Sequence, residues 1–154
     1  MNAPQEKSPV PTLPLSKATL LVLEASKQGA RELNHPCLWP EHLLLGLAEN
    51  LLVKALFRQC NSGDPITQPD ILSYIEFIQG RWTSWLPEKL IIGERVDKII
   101  NRADEQARGQ GQLEITPEDI LEAIIIEGDD VTTEILRSLG ILGKLKERLH
   151  LTAS

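Results

Sequence analysis

The sequence predicts an all-α protein, and three observations carry that reading. The composition is 42% hydrophobic and 25% charged with three Trp, one Tyr and two Phe, and its apolar content is dominated by Leu, Ile and Ala, which favour helices over a β-sandwich. Apolar residues recur at three- and four-residue spacing over most of the chain, and Pro, Gly and Asn interrupt the runs. The pattern also occurs twice. Together these predict about eight helices in a pseudo-twofold tandem duplication of a four-helix unit.

Residues 1–14, MNAPQEKSPVPTLP, hold four prolines and no large apolar cluster. They bury too little surface to offset the entropy of ordering and read as a flexible tail. Ser16 is a good N-cap for a first helix ending near Leu33, with Leu20, Leu23, Ser26, Lys27, Ala30 and Leu33 as a mostly apolar stripe. Asn34 and Pro36 stop it. Pro40 stands where a first-turn proline belongs and Glu41 suits the positive end of the helix dipole, so a second helix runs from Pro40 to about Glu49.

A third helix covers Leu51 to Cys60, and NSGDPITQP then reads as a loop. From Asp70 a fourth helix places Ile71, Leu72, Ile75 and Ile78 on one face. Residues 79–92, QGRWTSWLPEKLII, read as the connector between a first repeat at 15–78 and a second at 93–150, with a short tail at 151–154. A fifth helix runs from Glu94 to about Arg108 with Val96, Ile99, Ile100 and Ala103 inward. The sixth spans Pro117 to Glu127, the seventh Val131 to Leu139 and the eighth Leu142 to Leu149.

The duplication has a register. Glu41 and Glu118 are 118 − 41 = 77 positions apart, and at that offset Ala30 meets Ala107, Arg31 meets Arg108, Pro40 meets Pro117 and Leu44 meets Leu121. Val22 and Leu23 likewise fall on Ile99 and Ile100. The loop at Asn61 to Pro69 is longer in the first repeat, and the break after its second helix is two residues shorter.

A formal charge of −6 and the absence of a Lys/Arg run argue against binding a nucleic-acid backbone. Cys37 and Cys60 make no disulfide framework, so a reducing compartment is expected. No apolar run approaches the ~20 residues that cross a bilayer, and no basic-then-apolar leader opens the chain, so no membrane partner is expected.

The stretches SKA…ASKQGARELNH…PEHLLLGL and ADEQAR…TPEDILEAIIIEGDDVTTEILRSLGI resemble the Clp N-terminal repeat, the doubled substrate- and adaptor-binding module at the front of Clp-type unfoldases. The likeness covers about Leu15 to Leu149, departing at Asp119, where the family commonly has His, and at Trp39, where a small residue is usual. A phosphate loop is missing: Gly143-Lys144 has Ser138 where the first Gly belongs and Leu145 where the hydroxyl belongs.

The resemblance implies a non-enzymatic interaction module without a cofactor, similar to stand-alone accessory proteins of the Clp protease if the chain is complete, or an unfoldase's N-terminal domain if it is a fragment. The implied partners are the Clp protease core, a Clp ATPase, adaptors or substrates. The implied location is the cytoplasm, or an organelle stroma after removal of a transit peptide.

His35, Cys37, His42 and Cys60 offer zinc-type ligands and a thiol, but their spacing matches no standard metal motif and no third orienting group marks a Cys-His enzyme. The expectation is no metal, with the cysteines as small core fillers and His42 bonded between packed helices. In some bacterial relatives the matching glutamates, each with a threonine at the start of the repeat's first helix, bind phosphoarginine. That likeness makes Ser16 with Glu41 a candidate pocket and Glu118 a weaker copy, since Gly93 stands in the second hydroxyl position. Helix-start electrostatics alone explains both glutamates and is the preferred reading of them. Trp82 and Trp85 are candidates to seal the repeats together or to anchor a partner.

Overall fold

A helix buried on every side has to be wrapped by others, and the second helix is one: in the computed structural model every residue of α2 (Pro40–Leu47) is buried, Glu41 and His42 included. The structure describes residues 13–82 and 89–151. The second repeat's counterpart, α6 (Pro117–Glu127), buries Ile120, Leu121, Ala123, Ile124 and Ile125 and touches α2. Around this central pair lie α1 (Lys17–Glu32), α3 (Leu51–Cys60), α4 (Gln68–Gln79), α5 (Glu94–Gly109), α7 (Asp130–Ser138) and α8 (Leu142–Arg148). The helix starts follow from local chemistry: Ser16, Asn50, Thr67, Thr116 and Asp129 each accept a backbone N–H of the following turn.

Each repeat is completed by the other. α1 packs on α2 and α5 on α6, but α2 also meets α5 and α7, and α6 meets α1 and α3. A short parallel pairing joins β1 (Cys37–Leu38) to β2 (Ile91–Ile92), with Leu38 opposite Ile92. Leu15 forms a parallel bridge to Ile115. Because 15 + 77 = 92 and 38 + 77 = 115, these are one pairing seen twice across the pseudo-twofold axis. Accordingly the Ser16 N–H donates to the Ile115 carbonyl at 3.0 Å and the Gly93 N–H to the Leu38 carbonyl at 3.0 Å. The segment leading into each repeat's first helix is thus a strand on the opposite repeat.

The start of the described chain is held by the same device. Ile115 donates its N–H to the Pro14 carbonyl at 2.9 Å, and the Leu13 N–H reaches the Asp104 carboxylate at 3.0 Å. Leu13 and Pro14, read as the end of a tail, are therefore anchored; the rest of that tail and residues 152–154 lie outside the described residues.

The inward face of α1 differs from the expected stripe. Thr19, Val22, Ser26, Gly29 and Ala30 are buried, whereas Leu20 is 51% exposed. The cause is the closeness of α2: a Cβ at Gly46 would lie 2.1 Å from the Val22 carbonyl oxygen and 2.4 Å from Ser26 Oγ. Such an approach requires small side chains on the facing surface, which turns Leu20 and Leu21 outward. Leu72 and Ile100, expected to be inward, are half-buried, and Ile78 faces partly outward.

Candidate functional site

The turn between α1 and α2 carries a chain of hydrogen bonds with one possible direction. The Trp39 N–H donates to His42 Nδ1 at 2.8 Å, which makes that nitrogen an acceptor and leaves the proton of a neutral imidazole on Nε2. His42 Nε2 lies 2.9 Å from His35 Nδ1, and His35 Nε2 lies 2.7 Å from the Gly80 carbonyl. A carbonyl only accepts, so His35 donates through Nε2 and accepts through Nδ1. Both rings are completely buried. Burial, reinforced by the neighbouring His35, lowers the His42 pKa to about 3; burial, with a contribution from the Arg81 charge, lowers that of His35. His42, expected to bond between packed helices, bonds instead to the loop after α1 and to its own helix start.

The second repeat builds the same link from other residues. His35 and His42 map onto Gln112 and Asp119 at the 77-residue offset. Gln112 Nε2 donates to Asp119 Oδ2 at 2.7 Å, and the Thr116 N–H donates to that oxygen at 2.8 Å. Asp119, where the resembling family commonly has His, thus performs the cap-and-brace role of His42 with a carboxylate.

In the first repeat, the His35 bond to the Gly80 carbonyl ties the end of α4 to this turn. The Trp82 N–H bonds the Leu33 carbonyl at 2.9 Å. The Trp82 ring lies 5.9 Å from that of Trp39 and 5.8 Å from that of His35, centre to centre, and is 38% exposed. Trp82 therefore packs onto the first repeat while keeping an open edge. Trp85 lies outside the described residues.

Glu41 is 1% exposed and receives a 2.8 Å hydrogen bond from Gln79 Nε2. Burial pushes its pKa above the ordinary 4.5, opposed by hydrogen bonds from its own backbone N–H and from Gln79. Beside it lies a cavity of about 300 Å³ lined by Trp39, Glu41 and Gln79 of the first repeat and Gly93, Arg95 and Asp129 of the second. Ser16 does not line this cavity: its side chain meets Thr19 Oγ1 at 2.9 Å, and its backbone is paired to Ile115. The strand exchange explains this, since each repeat's first helix starts against the other repeat's central helix. The helix start that faces Glu41 is accordingly that of Gly93. A Cβ there would lie 2.7 Å from the Leu38 carbonyl oxygen, which leaves no room for a side chain, and 3.4 Å from Trp39 Cδ1, an ordinary contact. Glu118, the copy of Glu41, is exposed.

Two further cavities are pseudo-twofold images of opposite chemistry. The first, about 290 Å³, is bordered by Ala18, Leu21, Val22 and Leu51. The second, about 330 Å³, has Arg95, Lys98 and Ile99 at the positions matching Ala18, Leu21 and Val22, with Asp129 and Asp130 opposite. Arg95 and Asp129 are ion-paired across α5 and α7.

Sequence reasoning missed Gln79 and Arg95, and reads Asp129 only as part of the acidic run Glu127, Asp129, Asp130 and Glu134, a solvated face or a meeting place for a basic partner. Nothing in the local pattern of Gln79, Arg95 and Asp129 marks a shared cavity, because three helices bring them together. A metal reading of His35 and His42 meets a concrete obstacle: all four ring nitrogens already have partners. Among the described residues no group of three or more His, Cys, Asp or Glu is arranged to hold a metal ion, and no helix is long and apolar enough to cross a membrane. Cys60 is buried, which raises its thiol pKa away from a reactive thiolate, while Cys37 is half-buried in β1.

Comparison with known proteins matches this architecture to a family. Residues 14–139 match the family model of the Clp repeat (R) N-terminal domain. The chain is 30% identical over 132 residues to the negative regulator of genetic competence ClpC/MecB of Bacillus subtilis (strain 168), covering 83% of this chain and 16% of that protein. It is 26% identical over 129 residues to an ATP-dependent Clp protease ATP-binding subunit ClpA homolog of Trieres chinensis, covering 82% of this chain and 14% of that protein. The chain thus spans less than a fifth of the length of these relatives. Among solved structures, the N-terminal domain of the chaperone ClpD from Arabidopsis thaliana superposes with a TM-score of 0.68 at 19% identity, covering 86% of this chain and 92% of that one. The Hsp104 N-terminal domain from Candida albicans gives 0.69 at 14% identity, covering 88% of each chain. The fold, the duplicated register and the match over residues 14–139 place this chain in the Clp repeat N-terminal domain family.

Proposed function

We propose that the chain is a recognition or assembly module of the Clp chaperone-protease system, without catalysis of its own, that docks a Clp protease or ATPase component, an adaptor or a substrate. The supporting observation is the match over nearly the whole described chain to a family whose relatives carry this domain within Clp ATP-binding subunits. The test is a pull-down with the tagged chain from its source cell, read by mass spectrometry. Recovery of a Clp subunit or adaptor supports the reading, and absence of all of them overturns it.

Within that module the cavity beside Glu41 is the candidate ligand pocket and Trp82 the candidate partner anchor. Glu41 is walled by residues of both repeats, so a ligand there would touch both. Glu118 is exposed and Ser16 faces the other repeat, so neither contributes to this pocket. Replacing Trp82 with Ala is expected to weaken partner recovery at least tenfold, the scale of losing an interface tryptophan. Unchanged recovery would remove it as an anchor.

A further inference from the structure

We propose that the apolar cavity bordered by α1 and the start of α3, with the row of cations that leads away from it along α3 to α8, docks an acidic amphipathic helix of a partner protein. This rests on the reading of the chain as a recognition module and gives that module a surface separate from the Glu41 cavity and from Trp82. Three observations carry it.

The duplication supplies the first, because the two repeats build the same crevice from different side chains. At the 77-residue offset Arg95 and Lys98 stand where the first repeat has Ala18 and Leu21, and Asp130, the first residue of α7, stands where Leu51 opens α3. Three charged side chains suit that backbone, so the fold does not require apolar ones there. Yet Leu21 is 66%, Leu51 79% and Leu52 66% exposed around the cavity of about 290 Å³. Leucines standing in water around a concave surface stabilise nothing until something covers them.

The second is charge. α3 turns Val53, Phe57 and Cys60 inward, so Leu51, Lys54 and Arg58 follow one another along its outer face at three- and four-residue spacing. α8 adjoins the end of that row: Arg148 Nη1 donates to Gln59 Oε1 at 2.7 Å, and the charges of Arg148 and Lys144 both act on the Cys60 thiol. Together α3 and α8 carry five cations, Lys54, Arg58, Lys144, Lys146 and Arg148, and one carboxylate, Glu147, in a chain of net charge −6. Among the described residues none of the five is ion-paired, whereas every arginine of α5 and α7 is: Arg95, Arg102, Arg108 and Arg137 hold Asp129, Glu127, Asp104 and Glu134.

The third is the order of these features, which selects the occupant. Leu51 and Arg58 lie about two turns apart, roughly 10 Å along α3. A partner helix laid on this face therefore needs apolar residues on one turn and carboxylates on the next two. Glu49 is the one charged residue lining the cavity, so the apolar turn belongs there. A second copy docking through the same face would set the cations of both copies against each other, and the acidic face a copy offers at α5 and α7 is already neutralised by Arg95 and Arg102. A flat bilayer does not enter a concave cavity, and a net charge of −6 opposes approach to anionic lipid.

The test is an NMR titration of the full ¹⁵N-labelled chain with three synthetic peptides: a helix with leucines on one turn and glutamates on the next two, the same helix with lysine for every glutamate, and the acidic helix with serine for every leucine. Saturable shifts at Leu21, Leu51, Leu52, Lys54 and Arg58 are expected with the first, and the other two should bind at least tenfold more weakly. Leu21→Lys with Leu51→Asp imports the second repeat's charges at exposed positions, so the variant should melt as the parent does and lose the acidic peptide at least tenfold. Lys54→Glu with Arg58→Glu should turn the preference to the lysine peptide. Equal binding of the acidic and lysine peptides, no saturable shift, or shifts confined to other surfaces overturns the proposal. So does a dimer in sedimentation that Leu21→Lys with Leu51→Asp dissolves, which makes a second copy the occupant, or tighter binding to phosphatidylcholine vesicles holding one quarter phosphatidylserine than to the acidic peptide. The pull-down is independent: Clp partners recovered undiminished by Leu21→Lys with Leu51→Asp sink this surface alone, and acidic-peptide binding without Clp partners sustains the surface while sinking the broader reading.

Discussion

His42 Nε2 and His35 Nδ1 stand 2.9 Å apart inside the first repeat, and the Trp39 N–H at one end and the Gly80 carbonyl at the other oblige both rings to be neutral. A proton added to either acceptor nitrogen would place two donors face to face. Both folded pKa values lie below the ordinary 6.5, that of His42 at about 3. The unfolded chain therefore binds more protons than the native one between those limits. The histidines' contribution to stability is full above about pH 6.5 and falls as pH drops, by up to about 1.4 kcal/mol per pH unit for each group. Urea melts from pH 7.5 to 4 are expected to show this loss, and His42→Gln should flatten it. An unchanged slope in that variant would refute the assignment.

The match of His35 with Gln112 and of His42 with Asp119 makes the two links interchangeable in design, though not residue by residue. His35→Gln alone and His42→Asp alone each set a side chain of one link against a partner sized and shaped for the other. Together they import the second repeat's pair into the first. The double variant should be more stable than the sum of the single losses predicts, with a coupling of about 1–3 kcal/mol from a double-mutant cycle. Additive losses would mean that the two links do not share a geometry.

Much of this organisation is legible in the chain itself. Pro40 and Pro117 mark helix starts because a first-turn proline loses no hydrogen bond, and α3 and α6 occupy the expected spans Leu51–Cys60 and Pro117–Glu127. The start of α4 at Gln68, two residues before the expected Asp70, was readable from the reciprocal cap between Thr67 and Asp70. The strand exchange was not readable, since two-residue strands carry no periodicity. The pairing of Ser16 with Glu41 failed for the same reason: sequence register aligns residues within a repeat, whereas the fold joins each first helix to the opposite repeat. On α1 the expected Ser26, Ala30 and Leu33 are buried, but hydrophobicity wrongly placed Leu20 inward and passed over Thr19 and Gly29, which a close helix crossing favours.

That crossing gives its own prediction. An added Cβ at Gly46 would meet backbone, the Val22 carbonyl at 2.1 Å, while one at Gly29 would meet the Leu45 Cδ1 methyl at 2.3 Å. A methyl can rotate away and a helix carbonyl cannot. Gly46→Ala should therefore cost about 3 kcal/mol by forcing α1 from α2, and Gly29→Ala about 1 kcal/mol or less, since helix propensity offsets part of the strain. Thermal melts of the two variants decide it, and equal losses would contradict the asymmetry.

Glu41 titrates with the opposite sign to the histidines. Burial raises its folded pKa above 4.5, so below that pH both states carry the proton and the carboxyl imposes no penalty. As pH rises through 4.5 the unfolded carboxyl ionises freely while the native one resists, and stability declines until the pH passes the folded value. Glutamine at this position has no charge to desolvate and still accepts from Gln79 through its carbonyl. Glu41→Gln should therefore match the parent at pH 4 and exceed it at pH 7 by on the order of 1 kcal/mol, the scale of one imperfectly satisfied buried polar group. Chemical denaturation at the two pH values measures the difference. A variant that is less stable than the parent at pH 7 would show instead that the ionised carboxylate holds the repeats together.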